Sequence, residues 1–136
     1  MIEIFITYAM SFLGTPYKWS GNTKSGIDCS GLVCESLRSV LPKVPDMSAH
    51  MLYEHFLVKG GQIYCSSRPQ RGDLLFFGSV EKVTHVAIAL DSRHILEAGG
   101  GGRTCTTPEE ADRLNAYVRI RPIDSRRDFI VSSTIF

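Results

Sequence analysis

The hydrophobic period of this chain changes once, at Gly60-Gly61: before that break apolar residues recur at helical steps, and after it they alternate as in strands. Ile2, Phe5, Ile6, Ala9, Phe12 and Leu13 predict a helix over 1–13, with Gly14 at its C-terminal cap. Asp28 is placed to cap a second helix over about 29–41, which Pro42 ends, and Ser48 to cap a third running to about Lys59. Between the first two lies a polar, Gly-rich loop over 15–27. Strands are expected over 73–77, 83–90, 94–98 and 117–122. Thr107-Pro108-Glu109-Glu110 opens a short helix before the last of these, with a cap, a proline at the first position and an acidic first turn. The segment after 122 is left unassigned, and its Arg126-Arg127-Asp128 cluster reads as a solvated tail. Helices first and strands later, without βαβ alternation, predict an α+β fold with N-terminal helices packed on a small antiparallel sheet. The length of 136 residues suits one domain over 1–136.

Charge narrows the partners. Fifteen Lys and Arg stand against fourteen Asp and Glu, a formal net charge of +1 with no basic stripe, so no nucleic-acid partner is expected. The apolar run at 1–13 is too short and interrupted for a membrane span, and with Glu3 as its only charge it has no positive region of a signal peptide. The expectation is synthesis in the cytoplasm without a classical export signal. Cys29, Cys34, Cys65 and Cys105 form no Cys-x-x-Cys and no Cys/His cluster with zinc spacing, so neither metal, cofactor nor disulfide is expected.

The chemistry concentrates at Asp28-Cys29-Ser30-Gly31-Leu32-Val33. A cysteine in the first helical turn meets unpaired N–H groups and the positive end of the helix dipole, which favour a thiolate and would hold a developing oxyanion. The competing reading is a buried core cysteine, since Cys29 shares a helical stripe with Leu32, Ser36, Leu37 and Val40. A base is offered by His85, which shares a strand face with Ala87 and Ala89, while Val86, Ile88 and Leu90 form the bulky opposite face. The small face is expected to leave room for the helix end to approach the imidazole. A three-residue turn, Asp91-Ser92-Arg93, would pair Leu90 with His94, Ala87 with Glu97 and His85 with Gly99. Glu97 then lies on the face of His85, one diagonal step away, and is the expected orienter of the imidazole; a two-residue turn would put His94 there instead.

Four segments in order carry a family resemblance: Gly14-Thr15-Pro16-Tyr17-Lys18-Trp19-Ser20-Gly21, Asp28 to Val33, Arg71-Gly72-Asp73-Leu74-Leu75-Phe76-Phe77, and His85-Val86-Ala87-Ile88-Ala89-Leu90. Together they resemble the NlpC/P60 cysteine peptidases from about residue 9 to residue 100. The resemblance implies a papain-like fold and hydrolysis of peptide-stem bonds in peptidoglycan, typically between D-glutamate and a diamino acid. It implies Cys29 as nucleophile and His85 as base, Tyr17 lining the site beside the nucleophile, and Asp28 and Ser30 contacting the substrate stem. Two positions depart from the family pattern: Ser20 replaces the first glycine of the usual Trp-Gly-Gly, and the third polar position, usually His, Asn or Gln, falls on Glu97. A glutamate there should raise the imidazole pKa through a charged hydrogen bond.

Three functions compete at this level. The first is a wall-cleaving peptidase that meets peptidoglycan through phage lysis, a phage tail or a secretion apparatus. The second is a papain-like acyltransferase or thioesterase, for which Met47, Met51, Leu52 and Phe56 would supply an acyl groove, although that set also describes a core-facing helix. The third is a non-catalytic phage assembly module, which predicts that Cys29 and His85 do not meet.

Overall fold

The structure, a computed structural model, describes residues 1–58, 65–66 and 68–136. In chain order the elements are α1 (Ile2–Met10), a small hairpin of β1 (Asn22–Thr23) and β2 (Gly26–Ile27), α2 (Cys29–Arg38), and α3 (Ala49–Tyr53) continued by a π-helical turn (Glu54–Val58). Then come β3 (Cys65–Ser66), β4 (Leu74–Gly78), β5 (Val83–Ala89), β6 (His94–Gly99), α4 (Pro108–Leu114), β7 (Tyr117–Pro122) and β8 (Phe129–Ser133). Strands β3 to β8 form an antiparallel sheet in the order β3-β8-β4-β5-β6-β7. The class is α+β and the architecture papain-like.

Local chemistry explains the helix ends. The Asp28 carboxylate accepts from the Gly31 N–H at 2.7 Å, and Ser48 and Thr107 cap α3 and α4 in the same way. Gly14, at φ +83°, stops the turn that follows α1, so the helix proper ends at Met10 rather than Leu13. Segment 1–13 belongs to the folded core, with Phe5, Ile6, Ala9 and Phe12 buried. The second helix also ends earlier than expected, at Arg38, and the 15–27 loop contains the β1–β2 hairpin. The third helix leaves α geometry after Tyr53, and Lys59 lies outside the described residues.

Two apolar layers flank the sheet. Helices α1, α2 and α3 close over Leu74, Phe76, Val86, Ile88, Leu96 and Ala98. Beneath, Leu75, Phe77, Ala87, Ala89 and Ile95 pack with Ile123 and Phe129. At about 1.5–3 kcal/mol for each large side chain removed from water, both layers stabilise the sheet that carries the site. This corrects one expectation and meets another. The bulky face of β5 is core, as expected, and it packs under the helices; the small face packs in the second layer. The chain after 122 is not a solvated tail: β8 pairs with β4 from Leu74↔Ser133 to Phe77↔Phe129. Among the described residues, no helix is long and apolar enough to cross a membrane.

Candidate active site

Cys29 is the first residue of α2 and is 8% exposed. Asp28 takes the Gly31 N–H on its side chain and the Leu32 N–H on its carbonyl, which leaves the Cys29 and Ser30 N–H groups at the open end of the helix. Asp28 is held in turn: its second oxygen accepts from the Ser20 N–H at 3.0 Å, and the Ser30 hydroxyl donates to the first at 3.3 Å. Burial pushes the Asp28 pKa up against these hydrogen bonds.

His85 reaches Cys29 from β5. In the hairpin that follows, Ile88 pairs with Leu96 and Ala89 with Ile95, the register of a three-residue turn. That register brings Glu97 Oε1 to 2.8 Å from His85 Nε2, which leaves the ring's other nitrogen, Nδ1, for Cys29, the second group that acts on the imidazole's protonation. His94 sits at the exposed far end of the hairpin with Asp91, at 3.1 Å, and takes no part. His85 and Glu97 are 6% and 1% exposed. Burial disfavours charge on the imidazole, but the hydrogen bonds and charges of Cys29 and Glu97 outweigh it and push its pKa up from 6.5 to about 9. Burial likewise raises Glu97, yet His85 and Arg119 together hold its carboxyl below the ordinary value.

Arg119 escaped the sequence reading. Its Nε lies 3.2 Å from Glu97 Oε2, its Nη1 donates to the Asn115 carbonyl at 3.3 Å, and its guanidinium stacks 5.8 Å from the Tyr117 ring. The signal was the β6–β7 pairing Glu97↔Arg119, hidden by the helix between those strands.

A cleft runs past Cys29. Its larger part, about 640 Å³, is lined by Asp28, Cys29, Ser30 and Tyr17, with Lys82 and Arg103 adding positive charge. Tyr17 is buried, and burial together with the charges of Cys29 and Asp28 drives its phenol pKa far above the usual value. The glycine loop at 99–102 lies against it, because a methyl on Gly101 would overlap the Tyr17 ring. Of the four residues named for an acyl groove, Met47 lines the larger part of the cleft, Leu52 is in the core, Phe56 packs against it, and Met51 is 51% exposed. Among the described residues, no group of three or more His, Cys, Asp or Glu side chains could hold a metal ion.

A cysteine at a helix N-terminus, beside a strand histidine that a buried carboxylate orients, can form a thiolate–imidazolium pair and attack a carbonyl. That arrangement, on an antiparallel sheet under α2, is papain-like. The chain belongs to the NlpC/P60 family, whose model matches residues 14–121. It is 37% identical over 100 residues to dipeptidyl-peptidase 6 of Lysinibacillus sphaericus, covering 74% of this chain and 33% of that one. It is 33% identical over 130 residues to the peptidoglycan endopeptidase RipA of Mycobacterium tuberculosis, covering 85% and 26%. Among solved structures, the peptidoglycan hydrolase RipB from Mycobacterium tuberculosis superposes with a TM-score of 0.71 at 26% identity, over 98% of this chain and 63% of that one. The chain thus spans a third or less of the length of these two curated relatives.

Proposed function

We propose that this chain is a cysteine endopeptidase that hydrolyses a peptide-stem bond of bacterial peptidoglycan, between D-glutamate and a diamino acid. The observation that carries the proposal is the unbroken line Cys29–His85–Glu97, placed at the open N-terminus of α2 and facing the cleft. Relatives named as peptidoglycan endopeptidases, RipA among them, support the substrate class.

In this reading the Cys29 thiolate attacks the carbonyl carbon, and the Cys29 N–H at the helix terminus receives the oxyanion. The imidazolium of His85 gives its proton to the nitrogen of the scissile amide as the C–N bond breaks, leaving the acyl group on sulfur. Neutral His85 then takes a proton from water, whose hydroxide attacks the thioester and regenerates the thiolate. Glu97 keeps Nε2 protonated and Nδ1 turned to the sulfur throughout. Asp28, Ser30 and Tyr17 border the acyl side of the cleft and would position the stem there.

The test is mass spectrometry of purified peptidoglycan fragments incubated with the wild-type protein and with Cys29→Ala. A new pair of products, separated at the D-glutamyl bond and absent with the variant, is expected. Identical spectra from both proteins across several wall chemistries would overturn the reading.

A further inference from the structure

Cys29 divides the cleft into unequal parts. The larger, about 640 Å³, includes Cys29 but not His85. The smaller, about 180 Å³, is lined by both Cys29 and His85, by the glycines of 99–102 and by Arg126. On the peptidase reading just given, His85 protonates the departing amine, so the residue that leaves as an amine must occupy the part His85 borders. The acyl side of the substrate then fills the larger part. The smaller part, about 180 Å³, receives the departing residue.

The smaller part has a distinct chemistry. Four consecutive glycines contribute backbone and no side chain, and of the residues lining it Arg126 alone is permanently charged. Arg126 comes from the segment just before β8 and is fixed by two groups. Asp128 receives its Nε at 3.0 Å and its Nη2 at 2.9 Å, and the guanidinium lies 5.1 Å above the Phe77 ring. Phe77 itself packs 5.4 Å from the His85 ring, which ties the position of Arg126 to that of the proton donor. Nη1 has no hydrogen-bond partner among the described residues. A guanidinium held on one edge, with its remaining nitrogen free beside a small glycine-walled space, suits a carboxylate. Neutralisation by Asp128 keeps that attraction modest and directional.

We infer that Arg126 forms a leaving-group subsite, binding a carboxylate carried by the residue that departs as an amine. Two sources share this chemistry: the α-carboxylate of a stem that ends at that residue, and the second carboxylate of a diamino diacid.

Three synthetic stem peptides with one common D-glutamyl acyl side test it. Their leaving residues are lysine with a free α-carboxylate, lysine α-carboxamide, and diaminopimelate amidated at the stem-direction carboxyl. With wild-type protein, one or both acids should exceed lysinamide in kcat/KM by about tenfold or more. Preference for the first acid identifies the α-carboxylate, and for the diaminopimelyl peptide the second carboxylate. In Arg126→Gln the ratio should fall toward one. Cleavage of all three at equal rates, or a ratio unchanged in Arg126→Gln, would overturn the subsite while leaving the peptidase reading intact. If wild type cleaves none, the peptidase reading fails and the subsite is judged by binding alone. Cys29→Ala is then titrated with lysine and with lysinamide while the amide signals of residues 99–102 are followed by NMR. Shifts with lysine only, abolished by adding Arg126→Gln, uphold the subsite; no difference between the two ligands overturns it.

Discussion

Arg119 Nε stands 3.2 Å from Glu97 Oε2 while His85 Nε2 stands 2.8 Å from Oε1, so one buried carboxylate is held between two cations. Along the line Cys29–His85–Glu97–Arg119, an ion-paired site carries alternating charges. Each group is stabilised by its neighbours, and the line is anchored at its far end by the Asn115 carbonyl. Such an arrangement fixes the imidazole more firmly than a lone carboxylate at a strand end would.

Arg119→Met should therefore do more than remove a surface charge. Glu97 is almost wholly buried, and truncating one partner of a buried pair costs roughly 3 kcal/mol or more. Urea unfolding should show that loss, and kcat should fall with little change in KM, because Arg119 lines neither part of the cleft. Arg119→Lys keeps the charge but cannot span Glu97 and Asn115 together, and it should fall between the two. A variant with full stability and full kcat would show that Glu97 needs no anchor.

Glu97→Gln addresses the charge on His85 itself. The folded-state pKa of His85, about 9, lies above its ordinary 6.5, so protonation of this group favours the fold. That contribution is complete below about pH 6.5 and is lost as the pH rises through about 9. The same titration removes the imidazolium, placing the alkaline limb of kcat/KM near pH 9. Glutamine keeps the acceptor oxygen but removes the negative charge that raises the pKa. The alkaline limb should move to lower pH, and kcat should drop by roughly 10². A limb that stays in place in Glu97→Gln would mean that Cys29 alone sets the titration.

How far the sequence revealed this site depends on how local each signal is. Cys29 at the start of a capped helix and Glu97 opposite His85 both follow from neighbouring residues, a cap and a turn length, and the structure places them so. Other features depend on distant parts of the chain. Alternation along β5 separates two faces, but both are buried, so nothing local says which one the helices cover. Strand β8 is five residues near the end of the chain, and its partners β3 and β4 lie far back in the sequence. Arg126 was misread as solvated for the same reason: its neighbours, the Phe77 ring and the glycines of 99–102, come from distant parts of the chain.

Ser20 has a conformational cost that can be measured. It adopts φ +61°, a left-handed conformation that disfavours a side chain by about 1–2 kcal/mol. The strain is retained because the Ser20 N–H must meet Asp28 at 3.0 Å. Ser20→Gly relieves it, offset in part by the greater freedom of glycine in the unfolded chain. A net gain of about 0.5–1 kcal/mol, or a Tm higher by roughly 2–4 °C, is expected in calorimetry. A lower Tm would show that the serine side chain contributes more than its backbone costs.

The contact between the glycine loop and Tyr17 makes a prediction about coupling. A Cβ at Gly101 would overlap the Tyr17 ring, which is buried beside Cys29 and borders both parts of the cleft. Gly101→Ala must displace either the loop or the ring, at a cost of about 1–3 kcal/mol for overpacking. Tyr17→Ala creates a cavity instead, costing about 3–5 kcal/mol as for other large aromatic truncations. Combined, the methyl enters the space the ring vacated, so the double variant should be more stable than the sum of the two losses by 1 kcal/mol or more. Urea denaturation of the four proteins measures that coupling. Strict additivity would mean that the loop moves aside freely, and that the 99–102 segment does not hold Tyr17 against the nucleophile.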